Sequence, residues 1–503
     1  MTRWGHGYTT DITYTTGYYR EQAPGHAGLA CVLNGVTFER PGPHDAFSFL
    51  ELGCGNGFNA LVMAASNPGW RVTAIDFNPA HIAAANTLKA AAGLTNVTFL
   101  EADLSTLAEE PAVAAVPMAD AVSMHGLWSW VPPGVRDGVI RLLRARVNPG
   151  GIVHVSYNVL PGWHGGIAMQ RLVLEAGQRR AARSDKQAEA GFAVVRRLYE
   201  ADAHYLKSSK IVQGLMERPN SLPPEYAAHE YMNNFWAPCF HADVAEAMSG
   251  AKLDWVAACS MLENFPELVM TEPQRAVLAE FDDPVMRELV KDICLERTLR
   301  HDVFVRGVRR LDTAGRNAAL GEVGVALLVP AAEFEYEINM PVGTASFERR
   351  FYEPIVRELD AGPRRIGDML ALPGLEGRRD NPAELVGVLI GTGQATDAAA
   401  IGASQDAGAL RLNRAVAHHM VRPAHITRGL ALASTVLGSG MPATGLDIFM
   451  WDRMRQGEGE AHLDAWVAWL GFGADAENQE KLRGAFRRGL EFRVPIWRQI
   501  GLL

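Results

Sequence analysis

Phe49-Leu50-Glu51-Leu52-Gly53-Cys54-Gly55-Asn56-Gly57 is an apolar run that turns on three alternating glycines into the helix-like stretch Phe58–Ser66. Glycines at 53, 55 and 57 let the backbone turn tightly and approach a ligand with no Cβ in the way. A strand before the loop and a helix after it are the context such a motif requires. The spacing is G-x-G-x-G, and Phe58 stands where a dinucleotide-binding loop wants its last glycine. A ligand without phosphate is therefore favoured over a pyrophosphate. Downstream, Arg71–Ile75 reads as a second strand ending in Asp76, 25 residues after Glu51. A carboxylate at the tip of the second strand of a doubly wound sheet is suited to accept hydrogen bonds from ribose hydroxyls. Together these signals point to S-adenosylmethionine.

Glu51–Gly57, Asp76 and the run Glu101-Ala102-Asp103-Leu104 resemble the first three motifs of class I S-adenosylmethionine-dependent methyltransferases. A lone glycine loop is equally a tight turn, but here three signals stand in order at the right intervals. The resemblance implies that Gly53, Gly55 and Gly57, with Cys54 and Asn56 between them, surround the methionine moiety, and that Glu51 contacts it indirectly. It implies that Asp76 binds the ribose, Phe77 lines the adenine, and Asp103, beside Leu104, faces the adenine amine. The product would be S-adenosylhomocysteine.

Working outward, residues 46–157 alternate strand-like runs (48–52, 71–76, 97–101, 119–124, 151–157) with helix-like ones (57–66, 78–92, 104–115, 135–147). Such alternation marks a parallel sheet with helices on both faces. Residues 167–235 turn polar and helix-rich, as an insertion would. Leu253–Met261 and Asp302–Val308 are assigned to an antiparallel pair closing a seven-stranded sheet, with 262–300 as a helical excursion. Residues 313–503 read as a separate α+β unit: strands at Val323–Val329 and Phe334–Met340, then short helices at Tyr352–Asp360, Arg365–Leu372 and Pro382–Ile390. That order suggests a winged-helix-like arrangement. The expected organisation is an N-terminal lid (1–45), a cofactor-binding core (46–165), a helical insertion (166–238), the rest of the sheet (239–312) and an accessory or substrate domain (313–503).

Composition bounds the function. At 503 residues the chain exceeds one core. A net charge of −9 argues against nucleic acid. The five cysteines include no C-x-x-C pair, so neither a zinc site nor a disulfide framework is suggested, and no metal is expected. The opening Met-Thr-Arg-Trp-Gly-His-Gly has no signal-type apolar core, and no window of about 18 residues is continuously apolar. A reduced cytoplasmic setting without membrane contact follows as the expectation; a homodimer is one assembly open to it.

The resemblance narrows at Trp4-Gly-His-Gly-Tyr8 through Tyr14-Thr15, Tyr18-Tyr19-Arg20-Glu21, His125–Val131, Ser156-Tyr157-Asn158 with Pro161-Gly162-Trp163, and Glu225–Pro238. These are similar to bacterial methyltransferases carrying a methyltransferase regulatory domain, among them the rickettsial outer-membrane-protein lysine methyltransferases. The likeness covers residues 1–310; beyond them only Arg428–Ser434 is familiar.

Methyl transfer is an in-line displacement, so the protein mainly positions a nucleophile about 3 Å from the methyl carbon. A lysine acceptor must first lose a proton, which burial and neighbouring polar groups assist. In this fold acceptors meet the carboxyl edge of the sheet, here Ser123-Met124-His125 and Ser156-Tyr157-Asn158. His125 is a candidate proton acceptor, or a ring bonded to backbone. Tyr157 and Asn158 would orient a nitrogen, or close a strand end. Trp128 and Trp163 are candidates to wall an acceptor channel, with Trp130 read more as packing. Tyr8, Tyr14, Tyr18 and Tyr19 form either an aromatic lid or a packed segment; Tyr14 and Tyr18 are the substrate-contact candidates.

The leading expectation is an N-methyltransferase acting on a protein or peptide side chain, lysine first and an asparagine amide of a ribosomal peptide second. A methyltransferase for a small metabolite or natural product is the alternative. A S-adenosylmethionine-binding regulatory protein without turnover is a third reading, of another class.

Overall fold

The computed structural model describes residues 5–503 apart from 6, 13, 110, 218–221, 376–379 and 472–475. Trp4 and His6 of the N-terminal motif lie outside the described residues.

Seven apolar runs pair into one sheet: β1 (Phe47–Leu52), β2 (Trp70–Asp76), β3 (Val97–Glu101), β4 (Ala119–Met124), β5 (Val147–Asn158), β6 (Leu253–Ala258) and β7 (Leu299–Arg306). Their order is β3-β2-β1-β4-β5-β7-β6. β1 to β5 run parallel, and β7 lies antiparallel between β5 and β6. This is the class I methyltransferase sheet, with the closing antiparallel pair where the sequence places it. The order reverses between β1 and β4, so a crevice opens at the carboxyl ends of those strands.

Helices α1 (Pro24–Leu33), α2 (Phe58–Ser66) and α3 (Pro79–Ala92) share one core cluster, while α4 (Pro133–Arg146) belongs to the other. Every residue of α2 is buried. Its sequence Phe-Asn-Ala-Leu-Val-Met-Ala-Ala-Ser has no charged face, the mark of a helix enclosed on all sides. The start of α3 is written locally: Pro79 takes the first position and the Asn78 side chain accepts from Ala80 N, while Gly93 in the left-handed region ends it. The expected helix over 104–115 is instead two short 3₁₀ turns, Leu107–Glu109 and Pro111–Ala115, because Pro111 cannot donate to a continuing ladder.

The insertion folds as α5 (Ile167–Gln178), α6 (Ser184–Glu200), α7 (His204–Ser208), α8 (Lys210–Met216) and α9 (Pro224–Tyr231), around its own apolar cluster. The C-terminal α+β unit holds a small antiparallel sheet in which β8 (Gly324–Leu327) is flanked by β11 (Arg364–Arg365) and β12 (Ala395–Ala398). Hairpins β9 (Glu337–Met340) with β10 (Gly343–Ser346), and β13 (Gly429–Ser434) with β14 (Ser439–Thr444), complete its strands. The Pro382–Ile390 run is α-helical only to Leu385 and widens into a π turn through Gly391. This unit shares its core with α1, α2 and α3; Asn67 Nδ2 donates to Gly438 O at 2.9 Å, and Ser66 Oγ to Ser439 O at 2.9 Å. It therefore closes the outer side of α2. No helix among the described residues is long and apolar enough to cross a membrane.

Gly57 caps α2 with φ +70°, and a Cβ there would stand 2.4 Å from the Phe99 ring and 2.8 Å from Ala85 Cβ. Gly57→Ala is therefore expected to cost about 2–4 kcal/mol of stability. A thermal midpoint equal to the parent's would refute this packing.

Candidate active site

The β1–α2 loop is held open by two sets of bonds. Gly53 N and Cys54 N both donate to Ile75 O, at 2.8 and 3.0 Å. Gly55 N donates to Asp76 Oδ2 at 2.8 Å, and Asn78 N to Asp76 Oδ1 at 2.9 Å. His81 Nδ1 lies 3.1 Å from the same Oδ1. Gly53 and Gly55 adopt φ of +70° and +53°, values that favour glycine.

Two adjoining chambers meet at this loop, sharing Tyr14, Gly53, Gly55 and His125. The first, of about 770 Å³, is lined by Asp76, Phe77, His81, Asp103 and Leu104 on one side and by Tyr8, Leu127, Trp130 and Val135 on the other. The second, of about 630 Å³, includes Gln22, Glu51, Cys54, Asn56 and Asn59, with Tyr19 and Tyr226. Tyr19 is 44% and Tyr226 40% exposed, so the second chamber has its rim at the surface. The described lining carries three carboxyl groups, Glu51, Asp76 and Asp103, and neither Lys nor Arg.

Several buried polar atoms facing these chambers make no hydrogen bond: Glu51 Oε2, Asn56 Oδ1, Asn59 Oδ1 and His81 Nε2. Orphaned buried groups are costly and mark places where a ligand supplies the partner. Burial pushes the Glu51 carboxyl up to about 8. An acidic cavity with free acceptors, and neither Lys nor Arg for a phosphate, fits a cationic sulfonium nucleoside with its amino-acid tail. Among the described residues no cluster of three or more His, Cys, Asp or Glu is arranged to hold a metal ion.

At the carboxyl edge, His125 ends β4 with Nδ1 2.9 Å from Ser156 Oγ and its ring 4.1 Å from that of Tyr19. The rings of His125 and His154 each lie 5.4 Å from His301, and His154 Nε2 is 3.1 Å from His301 Nδ1. Burial depresses all three, so they are neutral imidazoles near pH 7. Asn158 ends β5 with N donating to Ser129 Oγ at 2.8 Å and Nδ2 3.5 Å from Glu230 Oε1.

Six sequence candidates line neither chamber, Asn158 among them, held by Ser129 and Glu230 as above. Strand alternation sends Ser156 and Asn158 to one face and Tyr157 to the other. Tyr157 OH, fully buried, donates to Asp302 Oδ2 at 2.6 Å and is 3.1 Å from His241 Nδ1. The same alternation in the N-terminal segment takes Tyr18 away from the chambers, where its OH accepts from Gly440 N at 2.9 Å, and leaves Tyr19 at the rim. Trp128 packs in the α4 core beneath Arg136, and Trp130 is the tryptophan that lines the first chamber. Trp163 packs edge-on against Trp236, at 5.0 Å between centroids, and Gly57 fills the α2–β3 contact. Conversely, Tyr8, Tyr19, His81, Asn59 and Gln22 were not singled out individually. Tyr8 and Tyr19 belong to the N-terminal tyrosine group; the other three have no motif of their own.

Fold and cavity define a class I methyltransferase that uses S-adenosylmethionine. Residues 50–153 match the family described as "Methyltransferase domain", and residues 223–306 match the "Predicted methyltransferase regulatory domain". An uncharacterized protein of Synechocystis sp. is 30% identical over 366 residues, 73% of this chain and 71% of the relative. The chain belongs to the family of methyltransferases that carry this regulatory domain. An uncharacterized protein of Rickettsia prowazekii is 24% identical over 302 residues, and the match spans about half of that relative, 52%. The structure of PKMT2 from Rickettsia typhi has a TM-score of 0.68 at 16% identity, over 96% of this chain and 99% of that one, and thus shares the fold. PKMT2 has also been solved in complex with AdoHcy, which matches equally with a TM-score of 0.68.

Tyr157→Phe should lower stability by about 1–3 kcal/mol, the cost of leaving Asp302 and His241 short of a buried partner. S-adenosylmethionine affinity should be unchanged; a tighter effect on affinity than on melting would return Tyr157 to the site.

Proposed function

We propose that this enzyme transfers a methyl group to a side-chain nitrogen of a protein or peptide, with lysine as the acceptor. The observation that carries the reading is the second chamber, which joins the cofactor loop at Gly53 and Gly55 to a surface rim of tyrosines past His125. A long side chain reaching in from a macromolecule suits that shape. Similarity to the rickettsial lysine methyltransferases supports the same acceptor, with the asparagine amide second.

In this reading Gly53, Cys54 and Gly55 flank the methionine part, and Glu51, Asn56 and Asn59 supply its polar partners. Asp76 takes the ribose, with Phe77, Asp103, Leu104 and His81 around the adenine. S-adenosylmethionine supplies a methyl group already activated by its sulfonium. The chain's own residues bind, orient and exclude water: Tyr8, Tyr14 and Tyr19 close over the loop, and His125 and Asn158 border the acceptor nitrogen. Tyr226 of the insertion and Gly5, Tyr8, Tyr14 and Tyr19 of the N-terminal segment cover the site, and the C-terminal unit, bonded to the end of α2 through Ser439 and Gly438, serves as an accessory unit.

Incubation with labelled S-adenosylmethionine and a cell lysate, resolved by size, tests the function. Label in macromolecules that survives as methyl-lysine on hydrolysis is expected; label in small solutes would favour the metabolite reading, and tight binding with no label the regulatory one.

Glu51 offers a second check. Its carboxyl, pushed up to about 8, is mostly protonated at pH 7. A cation held beside it favours the ionised form, so binding expels a proton and affinity rises with pH, by up to about tenfold per unit between about pH 6 and pH 8. Calorimetry should show this slope and Glu51→Gln should flatten it; a flat profile in the parent would remove Glu51 from the ligand.

A further inference from the structure

Glu230 closes the last turn of α9, on the segment that matches the regulatory domain, yet its carboxyl is turned toward the methyltransferase sheet. Its Oε1 lies 3.5 Å from Asn158 Nδ2 at the end of β5. Of the N-terminal segment, Tyr8, Tyr14 and Tyr19 are near enough for its charge to raise their hydroxyls. Tyr226 precedes it by one helical turn on the same side of α9, and with Tyr14, Tyr19 and His125 lines the second chamber. His229, beside it, meets Tyr14 and Tyr8 ring to ring at 4.9 and 5.7 Å. Among the described residues no Lys or Arg pairs with Glu230. A carboxylate beside several electron-rich rings, with no resident cation, is the environment that recognises an ammonium group.

We propose that Glu230 and the tyrosines around it form the acceptor's ammonium site, and that the Glu230 carboxylate takes the proton the amine must lose. This rests on the side-chain nitrogen reading above and selects an amine over an amide within it. In the step, one N–H bond breaks, its electron pair stays on nitrogen as the attacking lone pair, and the proton moves to a Glu230 oxygen and then to water. An amide carries no charge to bind and no ammonium proton to give. The site also gives the regulatory segment a chemical part in the reaction, since it supplies a carboxylate beside Asn158 at the end of β5.

Geometry and titration agree. Burial pushes the Glu230 carboxyl up to about 7, above the ordinary value for Glu. Burial raises the hydroxyls of Tyr8, Tyr14 and Tyr19, and depresses His125, so these neighbours are neutral across the same range. Glu230 is thus ionised above about pH 7 and loses its hold on a cation as pH falls through that value.

The test is calorimetric titration of the full chain, without cofactor, with a short Gly- and Ser-flanked lysine peptide and its acetyl-lysine counterpart. The lysine peptide should bind at pH 8, up to about tenfold more weakly at pH 6, and at least tenfold better than the acetyl-lysine peptide. Glu230→Gln should weaken it at least tenfold and abolish the pH dependence, with S-adenosylhomocysteine affinity retained as proof of folding. Glu225→Gln, the same charge change at the start of α9, should bind as the parent does. Equal binding of both peptides, undetectable binding of the lysine peptide, or a Glu230→Gln variant that binds like the parent would each overturn the proposal. Should that variant not fold, the pH profile and acetyl-lysine discrimination of the parent decide alone. Label in small solutes alongside Glu230-dependent lysine binding would sink the proposed function and leave this site standing. Methyl-lysine in macromolecules with no effect of Glu230→Gln would do the reverse.

Discussion

The bond from Gly55 N to Asp76 Oδ2 fixes the geometry on which the site depends. It ties the loop after β1 to the tip of β2, so the backbone of the loop and the carboxylate beside it move as one body. The loop can take that path because Gly53, Gly55 and Gly57 all have positive φ. Each does so for its own reason. At 53 and 55 the missing Cβ leaves room in the chambers, while at 57 it lets α2 settle on Phe99 and Ala85. The far end of α2 is then tied at Ser66 and Asn67 to Ser439 and Gly438, some 370 residues downstream.

A second constraint explains why the regulatory segment is part of the catalytic fold. The matched residues 223–306 begin at α9 and end in β7, so two of the seven strands belong to them. β7 is anchored by Arg300, wholly buried, whose guanidinium meets Asp302, Asp292 and Glu288 at 2.6–3.2 Å. Burial alone would raise the Asp302 carboxyl, but Arg300 and His241 hold it well below its ordinary range. Ion networks of this kind stabilise little overall, yet removing one member strands a charge in the core. The network ties β7 to Glu288 and Asp292 of the preceding helix and, through the Tyr157–Asp302 bond, to β5, beside the pairing in which His301 reaches His154.

How much of this was legible follows from how local each signal is. The loop, Asp76 and the βα alternation are coded within a few residues each, so a parallel sheet with helices on both faces could be read directly, while the closing antiparallel pair comes with the family resemblance. Tyr157 and Tyr18 were misplaced because a strand end or an extended segment offers two faces, and nothing local says which one meets the ligand. Trp128 and Trp130 differ by two positions on a 3₁₀ turn, where a small rotation decides which ring is core. Glu230 lies in the Glu225–Pro238 stretch but the sequence gives it no role of its own, because its surroundings, Asn158 and three tyrosines, are more than 70 and 200 residues away. The charge of the cavity was invisible for the same reason: an overall balance of −9 says nothing about where basic side chains are missing.

That missing basic charge resolves a conflict inherent in the chemistry. A sulfonium and an ammonium are both cations, and bringing them together in a low-dielectric cavity is costly. One remedy is to neutralise the amine; another is to surround both with carboxylates. The cavity has the means for each. Asp76 and Asp103 line the first chamber and Glu51 the second, Glu230 stands behind Asn158 one helical turn from Tyr226 at the rim, and His125 at the junction is kept uncharged by burial. A protonated His125 would add a third positive charge at the junction of the chambers. Its depressed proton affinity thus suits it to line the junction better than to hold a proton, which is why the proposed acceptor of that proton is the Glu230 carboxylate.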